Sequence, residues 1–241
     1  MARIDGRAND QLRPVEILPG INRFAEGSCL IRCGNTHVLC TASVEERTPP
    51  HVPEGEGWVT AEYSMLPRAN RERSRRDISK LKLSPRSAEI QRLVGRALRA
   101  AVDLKKLGAR TITIDCDVLQ GDGGTRTASV TGGFVALSYA CWKLVEEGVI
   151  PEMPITTCVA AVSAGIVDDV PMLDLCYEED SSAMVDLNCV MNHEGEIIEL
   201  QGTGEGRAFT VQEQRQLVDL CAKGIREIQA IQKAVLEGGD A

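Results

Sequence analysis

A stretch near the middle of the chain carries no charged side chain at all. Residues 127–142 contain no Asp, Glu, Lys or Arg, and their composition predicts a helix over residues 125–147. A helix that is apolar around its circumference has to be covered on more than one side. The uncharged run falls short of the ~18 apolar residues of a membrane span and is interrupted by Gly132 and Gly133, so we expect a core helix and no membrane segment.

The segments around this helix alternate between strand and helix patterns. β-favouring runs bounded by turn residues predict an antiparallel meander in the first third, and a Ser84-Pro85 start predicts an amphipathic helix after residue 84. A Thr210-x-x-Glu213 capping box opens a C-terminal helix. The predicted strands are residues 14–18, 28–33, 37–45, 58–65, 111–119, 153–166, 172–177 and 184–191. This order predicts an α+β fold of two packed halves, residues 1–150 and 151–241.

The charge is unevenly distributed. The chain has a net charge of -8, yet residues 68–99 carry +8 and the remainder -16. Residues 68–76 have no apolar period and predict an exposed loop. An acidic protein with so much arginine in one stretch is expected to meet an anion there. The alternative is a solvated helix face, which usually mixes lysine with glutamate.

A glycine-rich segment, residues 120–127, lies where a strand stops and the uncharged helix begins. Glycines let consecutive N–H groups converge, and a helix N-terminus favours negative charge, so the segment predicts a phosphate site. Thr125 adds a hydroxyl and Arg126 a cation. The pattern is neither a Walker A loop nor a dinucleotide fingerprint. A tight turn with a capping arginine is the alternative.

A second segment, residues 178–186, is acidic. Alternation along the following strand places Asp186 and Asn188 on one face. Paired carboxylates suit a Mg²⁺ ion that is bound together with substrate phosphates. The alternative is an acidic β-turn in water.

Together these signals indicate phosphoryl transfer on a polyanion. The sequence contains no recognisable Ser-His-Asp or Cys-His pairing, so the nucleophile need not be a side chain. The nine cysteines are odd in number and lie in apolar segments without metal-ligand spacing. They are expected to be reduced core residues of a cytoplasmic protein rather than disulfides or a zinc site.

Five motifs in order along the chain make it resemble the ribonuclease PH family, phosphate-dependent 3′ exoribonucleases that trim tRNA precursors. The motifs are Arg3-x-Asp-Gly-Arg7 with Gln11-Leu-Arg-Pro14, Glu89-Ile-Gln-Arg-Leu-Val-Gly-Arg96, Cys116-Asp-Val-Leu-Gln-x-Asp-Gly-Gly-Thr-Arg126, Glu179-Asp-x-x-Ala-x-Val-Asp186 and Gln201-Gly-Thr-Gly-Glu205. The resemblance implies the RNase PH fold of two β-α halves, the first like ribosomal protein S5 domain 2. It also implies a homohexamer, a trimer of dimers, that acts on tRNA precursors and other RNA 3′ ends.

The resemblance further implies residue roles. Inorganic phosphate, the co-substrate, would be bound by Arg86, Gly124, Thr125 and Arg126. Mg²⁺ would be held by Asp180 and Asp186, which together with Arg126 would be catalytic. RNA would be guided by Arg68, Arg71, Arg73 and Arg76.

The chain departs from the family pattern around the first phosphate arginine. Pro85 replaces the usual glycine before Arg86, and Ser87-Ala88 replaces the more usual Thr-Gln. This departure could change how the guanidinium is presented.

Two other functions are kept open. One is a catalytically silent RNA-binding subunit of a ring, which is disfavoured because Arg126, Asp180 and Asp186 are all present. The other is a small-molecule phosphoryl-transfer enzyme, which is disfavoured because a metabolite does not need so basic a surface.

Overall fold

The computed structural model describes residues 3–76 and 82–238. Its strands are β1 (Val15–Pro19), β2 (Gly27–Cys33), β3 (Thr36–Glu45), β4 (Trp58–Met65), β5 (Thr111–Gln120), β6 (Val159–Val167), β7 (Val170–Leu173), β8 (Val185–Asn192) and β9 (Ile197–Thr203). Its helices are α1 (Pro85–Arg99), α2 (Leu104–Leu107), α3 (Thr125–Glu146), α4 (Tyr177–Asp180) and α5 (Val211–Glu237). The predicted α+β class is confirmed.

The first sheet has the strand order β1-β2-β3-β5-β4. The first three strands form the predicted antiparallel meander, with a tight turn at Gly34 and Asn35 between β2 and β3. The expectation that β4 continues this meander is wrong, because β4 pairs in parallel with β5. β5 therefore lies between β3 and β4, and its carboxyl end leads directly into α3.

The second sheet has the order β7-β6-β8-β9 and is antiparallel throughout. The strand predicted over residues 172–177 is wrong in its bounds: β7 ends at Leu173, and residues 177–180 form the short helix α4. The sequence analysis also missed β9, which mixes exposed and half-buried residues and so lacks a clear alternation.

The uncharged helix α3 lies between the two sheets, against β2 and β3 on one side and β6 on the other. α1 packs beside it on β4, and α5 covers the far face of the second sheet. α3 runs for 22 residues and, by length and composition alone, could cross a membrane, so the length argument made from the sequence does not hold. However, 78% of its most apolar window is buried inside the protein, as expected of a core helix.

An irregular N-terminal segment, residues 3–14, connects to the second half through buried ion pairs. Arg3 is buried and donates to the Glu179 carboxylate at 2.8 Å and to the Leu173 carbonyl at 2.7 Å. Arg13 is also buried and makes two side-chain hydrogen bonds to the Asp174 carboxylate, at 2.7 and 3.0 Å. Breaking one buried ion pair of this kind costs about 3–5 kcal/mol, because the remaining charge loses its partner.

The predicted helix starts are confirmed. The Ser84 hydroxyl accepts from the Ser87 N–H, and Pro85 is the first residue of α1. The Thr210–Glu213 capping box opens α5. Residues 77–81 of the basic stretch lie outside the described residues.

All nine cysteines are free thiols, as predicted. Seven are buried, and only Cys33 and Cys158 are partly accessible. Burial raises the pKa of the Cys141 thiol to about 12. These thiols therefore behave as small apolar core side chains.

Candidate active site

The loop between β5 and α3 adopts a conformation that needs glycine. Gly123 and Gly124 have φ angles of 74° and 66°, in the left-handed region that other residues avoid. A Cβ on Gly123 would lie 2.4 Å from the Leu175 carbonyl oxygen, so the loop packs directly against the second half. Gly124 is the N-cap of α3, and Thr125 and Arg126 form its first turn.

The carbonyl groups of this loop are turned toward the protein. The Thr36 hydroxyl donates to the Gly123 carbonyl at 2.6 Å, and the Thr36 hydroxyl oxygen accepts from the Asp122 N–H at 2.9 Å. Arg13 donates to the carbonyls of Asp122 and Gly123. The first N–H groups of an α-helix have no intrahelical acceptor, and Gly124, the N-cap of α3, has no side chain to cap them. They are therefore candidates to bind an anion.

Arg126 is held between two other elements. Its Nη1 lies 3.3 Å from a carboxylate oxygen of Glu89 on α1 and 3.2 Å from the amide oxygen of Gln201 on β9. The side chain is 19% exposed, so the guanidinium still reaches the surface. Gln201 belongs to the last of the five sequence motifs, but its contact with Arg126 arises only from the tertiary fold, which brings β9 next to α3.

Arg86 lies in the first turn of α1 with its side chain exposed. Pro85 before it begins a regular helix, so this departure from the family pattern leaves α1 intact. Together with Arg126, Arg86 acts to lower the pKa values of Asp180 and Tyr63. The two phosphate-site arginines therefore share one electrostatic environment with a candidate metal ligand.

The two predicted carboxylates interact electrostatically in that environment. Asp180 ends α4, and Asp186 is the second residue of β8. Burial raises the pKa of Asp186 to about 6, and the charge of Asp180 adds to this increase. Burial also raises the pKa of Asp180, with Arg86 and Arg126 opposing it and Glu205 adding to it.

The two carboxylate oxygens of Asp186 have different surroundings. Its Oδ2 accepts from the Asn188 side-chain amide at 3.0 Å, which confirms that the two residues share a face. Its Oδ1 is buried and has no hydrogen-bond partner among the described residues. A buried carboxylate oxygen without a partner is costly unless a cation or a donor meets it.

The donor set fits a hard cation with few protein ligands. Within residues 3–76 and 82–238, no group of three or more His, Cys, Asp or Glu side chains could hold a metal ion. Mg²⁺ commonly takes one or two carboxylates and completes its octahedron with water and phosphate oxygens. The pair Asp180 and Asp186, with its orphaned oxygen, meets that requirement.

The arginine-rich loop lies next to this site. Arg71 pairs with Glu178 on α4 and lies over the Tyr177 ring, while Arg68 donates to the Arg71 carbonyl at 2.9 Å. Both line a cleft of about 880 Å³ that also includes Asp122 and Arg13. Because Glu178 partly neutralises Arg71, the four arginines are not equally free for an anion.

The other two arginines predicted to guide RNA, Arg73 and Arg76, are also exposed. Arg76 acts to lower the pKa of Asp117, a carboxyl group on β5 whose pKa burial raises overall. The electrostatics and hydrogen bonds thus bring together Arg86, Thr125, Arg126, Asp180 and Asp186, with Gly124 at the start of α3. Of the loop arginines, Arg71 contacts α4 through Glu178. The sequence reasoning placed Asn188 on the face of Asp186 but missed Tyr63, because no local pattern marks that tyrosine.

Comparison with known proteins identifies the family to which the chain is similar. Residues 11–142 match the model of the 3′ exoribonuclease family, domain 1, and residues 157–224 match domain 2 of that family. The chain is 53% identical over 237 residues to Ribonuclease PH of Syntrophomonas wolfei, covering 98% of this chain and 99% of that protein. It is 56% identical over 235 residues to Ribonuclease PH of Bacillus pumilus, covering 97% of each.

Among solved structures, the chain is similar to an archaeal exosome core. The TM-score is 0.77 at 25% identity, and the match covers 96% of this chain and 91% of the other.

Proposed function

The chain belongs to the 3′ exoribonuclease family, and we infer from this membership that it is a phosphorolytic 3′-to-5′ exoribonuclease. It removes 3′ nucleotides from tRNA precursors with inorganic phosphate and releases nucleoside diphosphates, as a reversible nucleotidyltransferase. The observation that carries this conclusion is an identity above 50% to two Ribonuclease PH proteins over nearly the whole chain. The full set of candidate residues at one place supports the active enzyme over the silent ring subunit.

In the reaction, an oxygen of inorganic phosphate forms a bond to the terminal phosphorus of the RNA. The bond from that phosphorus to the preceding 3′ oxygen breaks, and the shortened RNA keeps a 3′ hydroxyl. Both reactants are anions, so their approach has to be compensated by positive charge.

Arg126 and Arg86 supply that charge in our proposal. Thr125 and the N–H groups after Gly124 bind the attacking phosphate, with Arg126 as the central cation. Support comes from the loop geometry, in which the Asp122 and Gly123 carbonyls accept hydrogen bonds from Arg13 and Thr36 and the N-cap of α3 is a glycine without a capping side chain. The held position of Arg126 limits the orientation of the bound phosphate.

Asp180 and Asp186 would hold Mg²⁺. When bound, the ion would stabilise negative charge on phosphate oxygens and on the leaving oxygen. The orphaned Asp186 oxygen and the raised pKa of its carboxyl group support this assignment.

The loop arginines Arg68, Arg71, Arg73 and Arg76 would guide the RNA backbone. Only 3% of the residues are aromatic, so base stacking contributes little and phosphate contacts carry the affinity. Weak sequence preference is therefore expected.

Assembly and location complete the proposal. Family membership supports a homohexamer, a trimer of dimers, and sedimentation velocity would measure it. The free thiols support a reducing compartment such as the cytoplasm.

The decisive experiment is incubation of a tRNA carrying a short 3′ extension with the purified protein and Mg²⁺, with and without inorganic phosphate. Shortening that requires phosphate and yields nucleoside diphosphates is the expected result. RNA binding without shortening in either condition would instead identify a silent ring subunit.

A further inference from the structure

A buried tyrosine reaches the phosphate loop from a different strand. Tyr63, on β4, is only 2% exposed, and its hydroxyl lies 2.8 Å from the Thr125 hydroxyl, whose residue is 6% exposed. This side-chain hydrogen bond joins two residues that are far apart in sequence. Neither the motifs nor the family assignment gives Tyr63 a role.

The direction of this hydrogen bond follows from counting donors and acceptors. A buried phenol hydroxyl usually needs an acceptor, and Thr125 is its hydrogen-bond partner in the part of the chain that the structure describes. If Thr125 donated to Tyr63, the phenol proton would be left without an acceptor. Tyr63 is therefore the donor, and burial, which raises its pKa, keeps it protonated.

The proton of the Thr125 hydroxyl is then left for another acceptor. A hydroxyl has one donor and two acceptor positions, and Tyr63 occupies one of the acceptor positions. The charges of Arg86 and Arg126 act on the Tyr63 hydroxyl, so this hydrogen-bonded pair lies at the cationic site. A phosphate oxygen bound there would be the acceptor.

We propose that Tyr63 is a positioning residue that orients the Thr125 hydroxyl as a donor to the attacking phosphate. This inference rests on the proposed phosphate site and extends it to a residue outside the loop. Orientation in advance reduces the entropic cost of forming the Thr125–phosphate hydrogen bond.

The test is Tyr63→Phe, which removes one oxygen and keeps the ring in the core. We expect the KM for phosphate to rise about fivefold, equivalent to about 1 kcal/mol, with kcat and the KM for RNA unchanged. If the hydrogen bond only linked β4 to α3 structurally, Tyr63→Phe would lower the melting temperature but would not specifically raise the KM for phosphate. An unchanged KM for phosphate in Tyr63→Phe would overturn the proposal.

Tyr139→Phe is a matched control. Its hydroxyl also donates a hydrogen bond, to the Val235 carbonyl at 3.0 Å, but between α3 and α5. The chemical change is the same, and we expect no change in the KM for phosphate.

A double-mutant cycle tests the route through Thr125. In a Thr125→Val background, adding Tyr63→Phe should change the KM for phosphate by less than about 1.5-fold, whereas in Thr125→Ser the tyrosine should still matter. Equal effects of Tyr63→Phe with and without the Thr125 hydroxyl would refute the mechanism. Failure of the proposed function would be distinct, because the unmutated protein would then show no phosphate-dependent shortening.

Discussion

At the scale of single residues, the site depends on side chains whose partners come from other elements. Arg126 belongs to α3, yet Glu89 on α1 and Gln201 on β9 determine where its guanidinium lies. Gln201 in turn donates to Glu199, and Glu199 pairs with Arg96 at 2.6 Å. A cation held by such a chain loses little entropy when an anion arrives.

Replacing Arg126 with alanine should abolish most of the phosphorolytic activity and leave the fold intact. Loss of one fixed charge at the reacting phosphate is expected to lower kcat/KM by at least about a hundredfold. Phosphate-dependent release of nucleoside diphosphate is the measurement. Arg215→Ala, which changes an exposed arginine on α5, is the control and should behave like the unmutated protein. A substantially active Arg126→Ala protein would contradict the phosphate-site assignment.

Asp186→Asn should stabilise the metal-free protein while it removes activity. The pKa of Asp186 rises from 3.8 to about 6 on folding, so the folded state binds the proton more tightly than the unfolded state does. The stability that the protonated Asp186 carboxyl group contributes is therefore lost as the pH rises through about 6. Asparagine avoids this penalty, and we expect a gain of about 1–2 kcal/mol at pH 7.5, after allowance for solvent screening.

Thermal unfolding in EDTA at pH 7.5 and at pH 4 would measure this effect. The gain should vanish near pH 4, where the wild-type carboxyl group is already protonated in the folded state. If Asp186→Asn raised the stability equally at both pH values, the negative charge of Asp186 would not be the cause of the stabilisation.

At the scale of elements, the N-terminal segment contributes more to stability than its irregular backbone indicates. Arg3 and Arg13 connect residues 3–14 to Glu179 and Asp174 in the second half, and Arg13 also holds the phosphate loop. The segment therefore supports both the fold and the site.

Asp174→Asn should destabilise the protein by about 3 kcal/mol at pH 7, because it leaves the buried Arg13 without its counter-charge. Burial opposes ionisation of Asp174, but Arg13 outweighs it and lowers the pKa below 3.8. The ionised carboxylate thus stabilises the fold above the unfolded-state pKa, and this stability is lost as the pH falls through the lower folded-state pKa. The variant should accordingly lose less stability than the unmutated protein as the pH is lowered below about 4.

Chemical denaturation across a pH series would test this expectation. Asp169→Asn is the matched control, since Asp169 also has a positive φ and an arginine partner but is 82% exposed. It should change stability by less than about 0.5 kcal/mol. A similar loss in both variants would rule out burial of the ion pair as the reason.

The arginine loop should govern RNA affinity through counterion release. Replacing Arg68, Arg71, Arg73 and Arg76 with alanine should weaken tRNA binding and reduce the slope of log affinity against log salt by about two to three. The reduction should be less than that for four free arginines, because Glu178 already neutralises part of Arg71. Binding measured over a salt series, with Arg215→Ala/Arg226→Ala as the control, is the test. If the loop variant had the same salt-dependence slope as the unmutated protein, the loop arginines would not contact the RNA backbone.

The sequence predicts elements better than their pairing. Strands β2, β3 and β5, the caps of α1 and α5, and helix α3 were found within a residue or two, because local periodicity and capping specify them. The parallel pairing of β4 with β5 was not predicted, since it depends on contacts between distant segments. Tyr63 was not predicted for the same reason, since its contact with Thr125 joins distant segments. Thr125, Arg126 and Asp186, in contrast, lie in recognisable local sequence patterns.

At the scale of the whole molecule, the site exists only where the two halves meet. Thr125 and Arg126 come from the first half, and Asp180 and Asp186 from the second, with Gly123 packed on the Leu175 carbonyl between them. The predicted packing of two β-α halves is confirmed, whereas the boundary at residue 150 stays a prediction. Residues 68–99 carry a net charge of +8, while the rest of the chain is acidic.

The buried free thiols allow local unfolding of the protein to be measured through their rates of chemical modification. An alkylating reagent should modify Cys33 and Cys158 slowly at neutral pH, because burial raises the pKa of each of these two partly accessible thiols to about 12. The other seven cysteines can react only when the surrounding structure transiently unfolds. They are distributed across both sheets, α3, α4's N-terminus and α5, so each reaction rate reports on a different region. Mass spectrometry of labelled protein would map regional stability without any introduced label.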